Sequence, residues 1–277
     1  MATAPKRSRP EADRDAELDA GRMPFLAHLR EFRDRLRNAA IAFLLAAIGC
    51  FIFARDIYVV LRQPLDRAKA NYPKLVDVPM TFNTITEPFW VEMSVAMWAG
   101  IFVASPLVFY QLWKFIAPGL YKEERRVGLA FSIGSGLFFI GGAVFCHQFV
   151  LEPMFEYLLG REVGGAVPML TISGYLDLTR NMMLAFGAVF QMPFVIYVLA
   201  KIGLVTHRSL WRFNRWFVVL AFIIGAVLTP SADPMSQTMM ALPMIVLYNL
   251  SIGIAWVVGR NKAREPGAVP PPPDDAA

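Results

Sequence analysis

Glu31 and the pair Glu123–Glu124 are acids set among arginines, in the stretches HLREFRDRL and LYKEERR. A carboxylate in such company has two uses. It can pair with its own neighbours, Arg33 beside Glu31 and Arg125 and Arg126 beside Glu124, as a surface network. Or it can receive a guanidinium from a ligand, whose planar fork matches a carboxylate bidentately. For Glu123 the first use is the better reading; for Glu31 and Glu124 both stay open. The stretch Gln111–Arg126, QLWKFIAPGLYKEERR, crowds Gln111, Trp113, Phe115, a Pro118–Gly119 turn, Leu120 and Glu124 together. That density of aromatic and polar groups suits half of a peptide-docking patch. A third handle is Gln191, in AFGAVFQMPF. An amide inside an apolar run needs a hydrogen-bond partner, either on another helix or at a backbone carbonyl near the Pro193 kink. The partner-helix reading is preferred, because its segment offers no other strong polar group.

Little else could react. His28, His147 and His207 are scattered, and Cys50 and Cys146 lie inside apolar runs as small fillers. There is no Walker loop, GxSxG, HExxH or CxxC. No catalytic residue, metal or cofactor is expected, the chain is not expected to be an enzyme, and no nucleic acid partner is expected.

The elements that must position these groups are membrane helices. The chain has 277 residues, is 56% hydrophobic with a mean hydropathy of +0.45, and gathers its 18% charged residues into clusters. Long uncharged runs between such clusters mark a polytopic membrane protein. Six segments qualify: Asn38–Phe53, with a possible extension to Leu61, then Met93–Trp113, Val127–Leu151, Asn181–Ala200, Trp216–Thr229, and a sixth within Pro234–Gly259. A crossing needs roughly 20 residues, so the fifth is short and predicts local thinning of the bilayer. Of the 27 Lys and Arg, only Arg55, Arg62, Arg67, Lys69, Lys74, Arg161 and Arg180 fall outside if the N-terminus is inside. The positive-inside rule then puts both termini in the cytoplasm.

Outside the spans, residues 1–22 are polar and doubly charged and are expected to be disordered, as is the Pro-rich tail 260–277. Residues 23–37 read as an amphipathic lead-in, with Phe25, Leu26, Leu29, Phe32 and Leu36 at helical spacing and arginines suited to anionic headgroups. Residues 23–259 form the membrane domain. Two outside loops, 62–90 with Pro64 and Glu87 and 152–180 with Pro153 and Pro168, are long enough to carry short helices and form a periplasmic cap. TPSADP is a tight turn that makes segments five and six a hairpin.

These residues carry a resemblance. HLREFRDRL, QPLDRA, TEPFW, YQLWKFIAPGLYKEERR, FGAVFQMPF and LTPSADPMSQTMMALPMIVLYNLSI, in that order across Met23–Gly259, are similar to the TatC family of twin-arginine protein translocases. The resemblance implies an all-α integral membrane protein of six tilted helices in a concave, glove-like bundle, with cytoplasmic termini and short helices five and six. It implies a bacterial inner-membrane receptor for twin-arginine signal peptides. With TatA- and TatB-type single-span partners, in a multimeric complex, that receptor exports folded proteins on the proton-motive force. It also implies residue roles. Glu31, Arg33, Gln111, Phe115, Leu120 and Glu124 face the signal peptide, Gln191 stands where the family often has Glu and contacts a partner helix, and Asp233 is the acid of the last periplasmic turn. A competing class is a secondary transporter or channel, which predicts discontinuous helices around a polar midplane site; only Gln191 and a few Pro and Gly positions fit it. Exposed ion pairs contribute only about 0.2–1 kcal/mol, so a peptide site built on Glu31 and Glu124 must be partly shielded or helped by apolar burial.

Overall fold

The computed structural model describes residues 9–76, 78–116, 125–161, 169–229 and 233–262. These residues are helical apart from short connections. Helix α1, Arg9–Ile52, is the first span and runs back through most of the N-terminal extension. The composition there predicts no packed core, yet PEADRDAELDA carries three Ala and two Glu, which favour helix without any packing, and its acids and Pro10 suit a helix start. The span does not continue to Leu61. It breaks at Phe53, and α2, Ala54–Ala70, starts afresh with a strongly amphipathic pattern. A one-turn helix α3, Pro73–Val76, follows. Helix α4, Glu87–Ile116, is the second span.

The third span is α5, Arg125–Phe145, a π turn at Cys146–Val150, and α6, Leu151–Leu159. The fourth is α7, Ile172–Val189, and α8, Met192–Ile202, broken at Phe190–Gln191 just before Pro193. Much of the expected loop 152–180 is therefore helix, and only residues 160–171 connect spans three and four. Helix α8 stops at Gly203, whose φ of 89° needs a residue without a side chain. Thr206 then caps α9, His207–Leu228, by accepting from the Ser209 N–H. The fifth helix thus begins well before the apolar run, with Arg208, Arg212 and Arg215 on its early turns. It is the shortest span at 22 residues, against 27 in the span of α10, Pro234–Lys262. Its apolar part alone is about 20 Å long.

The helices pack in a row: α1 on α4, α4 on α5, α5 on α7, α8 on α10, and α10 on α9. Among the described residues α1 and α9, at the two ends of the row, make no substantial contact, so the bundle stays open and concave. Small residues set the spacing. A Cβ on Gly136 would lie 2.7 Å from the Pro106 Cα, and one on Gly142 would lie 2.6 Å from the Phe186 carbonyl oxygen. Backbones in lipid associate through such close approaches, since tails offer no hydrophobic drive between helices. The α9–α10 seam adds polar ties. The Tyr248 hydroxyl donates to the Leu210 carbonyl (2.8 Å), Asn214 Nδ2 donates to Asn249 Oδ1 (3.2 Å), and Phe217 stacks on the Tyr248 ring at 4.0 Å.

Burial is uneven. Met182 and Phe186 are fully buried on α7, Phe186 against α5, and Leu65, Leu151 and Met154 are fully buried where α2 packs on α6 at the end of the bundle away from the N-terminus. We call this the cap end. Only 6% of the α1 span is buried within the chain.

Candidate functional site

Helices α1 and α4 run antiparallel, and an ion pair stands near each end of their seam, one from α2 to α4 and one within α1. At one end Arg55 Nε meets Glu92 Oε1 at 2.7 Å; at the other, Arg35 Nη2 meets Glu31 Oε1 at 3.0 Å. Between them α1 carries no charge from Asn38 to its end at Ile52, about 22 Å of helix, most of the thickness of a hydrocarbon core. The Glu31 end is therefore a membrane surface.

At that surface α1 and the last turns of α4 build a small constellation. Glu31 is 35% exposed and Arg35 21%, so their i,i+4 pair is half-buried against the seam. Arg35 Nη1 also reaches Gln111 Oε1 at 3.5 Å, joining residues 76 apart in sequence. The His28 ring stacks on Phe115 at 4.4 Å, and Phe32 packs against the same Phe115 ring at 5.5 Å. Chemically this is a carboxylate held beside an aromatic wall, able to take a cationic fork with an apolar flank.

Of the residues expected here, Glu31, Gln111 and Phe115 come together. Arg33 does not join them: it is 71% exposed and pairs with its neighbour Asp34 at 3.0 Å. Leu120 and Glu124 lie outside the described residues. Arg35, His28 and Phe32 join the site without having been expected in it. The signal was present in the spacing: His28, Glu31, Phe32 and Arg35 recur at three and four and so share one helical face.

Gln191 sits elsewhere, at the break in span four. Its Nε2 donates to the Ser135 carbonyl on α5 at 2.8 Å, and the Ser135 hydroxyl receives the Trp113 indole N–H from α4 at 3.0 Å. The partner is a backbone carbonyl on another helix of the same chain. One serine thus joins spans two, three and four. Trp113 and Phe131 meet edge to face at 5.7 Å beside it.

The cap end holds the remaining expected residues. Pro64 lies inside α2 and is buried. It has no N–H to give the Val60 carbonyl four residues earlier. That carbonyl instead accepts from His147 Nε2 at 3.0 Å, from the π turn of span three. The next carbonyl, Leu61, receives the Tyr175 hydroxyl from α7. Glu87 accepts the Asn83 N–H at 2.5 Å on one oxygen and the Ser173 N–H at 3.1 Å on the other. It thereby ties the two connecting segments, which also pair between Thr81 and Thr171. Asp233 Oδ1 accepts the Ser236 N–H at 2.9 Å and caps α10.

The family described as Sec-independent protein translocase protein (TatC) matches residues 27–243. The chain belongs to the TatC family. A TatC protein of Koribacter versatilis (strain Ellin345) is 40% identical over 248 residues, 88% of this chain and 90% of that one. One of Aquifex aeolicus (strain VF5) is 36% identical over 242 residues, 87% of this chain and 98% of that one. A crystal structure of the twin-arginine translocase receptor TatC superposes with a TM-score of 0.72 at 36% identity, covering 83% of this chain and 99% of that one. The six-helix open bundle is thus the TatC fold, and this TatC-family chain is a multi-pass inner-membrane component of a protein translocase.

Proposed function

We propose that this TatC-family chain is the receptor subunit that binds twin-arginine signal peptides where α1 meets the end of α4. Glu31 and Glu124 receive the two guanidinium groups, Gln111, Phe115 and Leu120 line the site, and Arg33 stands at its edge. The observation that carries the reading is the half-buried Glu31 beside the His28–Phe115 stack. Partial shielding lifts a charge-assisted hydrogen bond to roughly 1.5–3 kcal/mol, and the ring wall offers burial to the peptide's apolar part. The site faces the cytoplasm with both termini, in keeping with the bias of Lys and Arg. Residues 1–22 and 260–277 are tails to the membrane domain 23–259.

TatA- and TatB-type helices assemble on the bundle, with Gln191 as one contact, into a multimeric complex that exports folded proteins on the proton-motive force. Pro64, Glu87 and Asp233 shape the periplasmic side. The chain carries no catalysis of its own. The test is crosslinking of an Arg-Arg signal peptide to the protein in inverted membrane vesicles. Glu31→Ala and Glu124→Ala should each weaken it severely, and wild-type crosslinking in the double variant refutes the assignment.

A further inference from the structure

We propose that Arg35 is a built-in occupant of the Glu31 site, and that an incoming signal arginine must displace it onto Gln111. The proposal rests on the reading of Glu31 as a receptor acid. Arg35 presents to Glu31 the same group a twin-arginine peptide would bring: its Nη2 donates to Glu31 Oε1 at 3.0 Å. Helical spacing holds it there, since residues four apart on one face are neighbours. The pair is neutral as a unit, so an approaching cation meets no bare carboxylate. A guanidinium gains Glu31 only by replacing an equivalent guanidinium.

The displaced group has somewhere to go. Arg35 Nη1 already lies 3.5 Å from Gln111 Oε1, a long contact that a small side-chain rotation shortens. Gln111 is a neutral acceptor, so it keeps Arg35 hydrogen-bonded without competing with Glu31 for charge. The arginines around it lack this arrangement. Arg33 and Arg37 both turn to Asp34 and are 71% and 64% exposed, against 21% for Arg35.

The exchange makes Arg35 a specificity-determining residue. An arginine ligand restores a planar fork for the one removed. A lysine ligand offers a compact ammonium with no fork, and cannot replace the guanidinium on equal terms. Selection of Arg over Lys then comes from the competitor as well as from the acid.

The experiment uses the full chain in lipid nanodiscs, a fluorescent Arg-Arg signal peptide and its Lys-Lys counterpart. Arg35→Gln should bind the Arg-Arg peptide about threefold tighter or more and the Lys-Lys peptide tighter by a larger factor, narrowing the selectivity. In the wild type, the Arg35 guanidinium NMR signal, assigned by its loss in Arg35→Lys, should shift when the Arg-Arg peptide saturates. Glu31→Gln tests the underlying reading separately: wild-type binding by that variant overturns Glu31 as receptor acid. If Glu31→Gln loses binding but the Arg35 signal stays put at saturation, the competitor proposal alone is overturned. Equal or weaker peptide binding by folded Arg35→Gln overturns it too. Should Arg35→Gln fail to fold, the wild-type NMR titration decides.

Discussion

Replacing His147 by Leu tests how Pro64 shapes the cap. Pro64 deprives the Val60 carbonyl of its helical donor, and the His147 Nε2–H takes that place at 3.0 Å. His147 is 6% exposed, so Leu, of similar bulk, would cover the same carbonyl without donating to it. The lost hydrogen bond is worth about 0.5–1.5 kcal/mol, and an acceptor left buried without a partner costs about 1–3 kcal/mol. His147→Leu should therefore destabilise by about 1–3 kcal/mol in an equilibrium unfolding titration in mixed micelles. The decisive variant is Pro64→Ala, which supplies an N–H to Val60 from within α2. In that background the carbonyl is no longer orphaned, and the cost of His147→Leu should fall by about 1 kcal/mol. Sites without coupling add within about 0.3–0.5 kcal/mol. A double-mutant cycle that closes to that margin refutes the argument, because it means His147 does not stand in for the missing proline N–H.

Two other substitutions probe the seams. Gly142→Ala would set a Cβ 2.6 Å from the Phe186 carbonyl oxygen, so α5 and α7 must part, with an overpacking cost of about 1–3 kcal/mol; an unchanged unfolding midpoint speaks against backbone contact at that seam. Gln191→Leu removes the donor to Ser135 while Trp113 keeps its own bond. It should cost about 0.5–1.5 kcal/mol, and a Trp113 fluorescence maximum shifted by many nanometres would show instead that the indole depends on Gln191.

The sequence announces what repeats along the chain and hides what crosses it. Uncharged runs between charge clusters marked six spans at their apolar limits, since charge at the bilayer centre is expensive. They could not mark helix ends. Hydrogen bonding and capping continue past the apolar layer, as at Thr206, which starts α9 beside three arginines. The break at Phe53 was equally unmarked, because FARD carries no Pro or Gly. At the site, Glu31, Gln111 and Phe115 were legible as polar or aromatic groups in a dense motif. Their connector was not: Arg35 looks like any arginine of a basic lead-in until α4 lies beside it. Motif carry-over picked Arg33, two residues away, which at 100° per residue points to another side of the helix.

Where burial sits also bears on the proposed receptor role. The cap end is held by fully buried Leu65, Leu151 and Met154 and by side chains clamping α2 from spans three and four. At the Glu31 end the polar and ring ties from α1 to α4 are one long hydrogen bond and the contacts of His28 and Phe32 with Phe115. Regions with few buried contacts open at low free-energy cost. Under the proposed function, a peptide inserting between α1 and α4 at that end would separate few buried groups, while the cap would keep the spans in register. The same asymmetry explains why so little of α1 is buried by its own chain: a helix packed on one neighbour leaves most of its apolar surface to lipid or to an arriving helix. Under the proposed function, the apolar surface that α1 leaves uncovered is the surface on which ligand affinity is built.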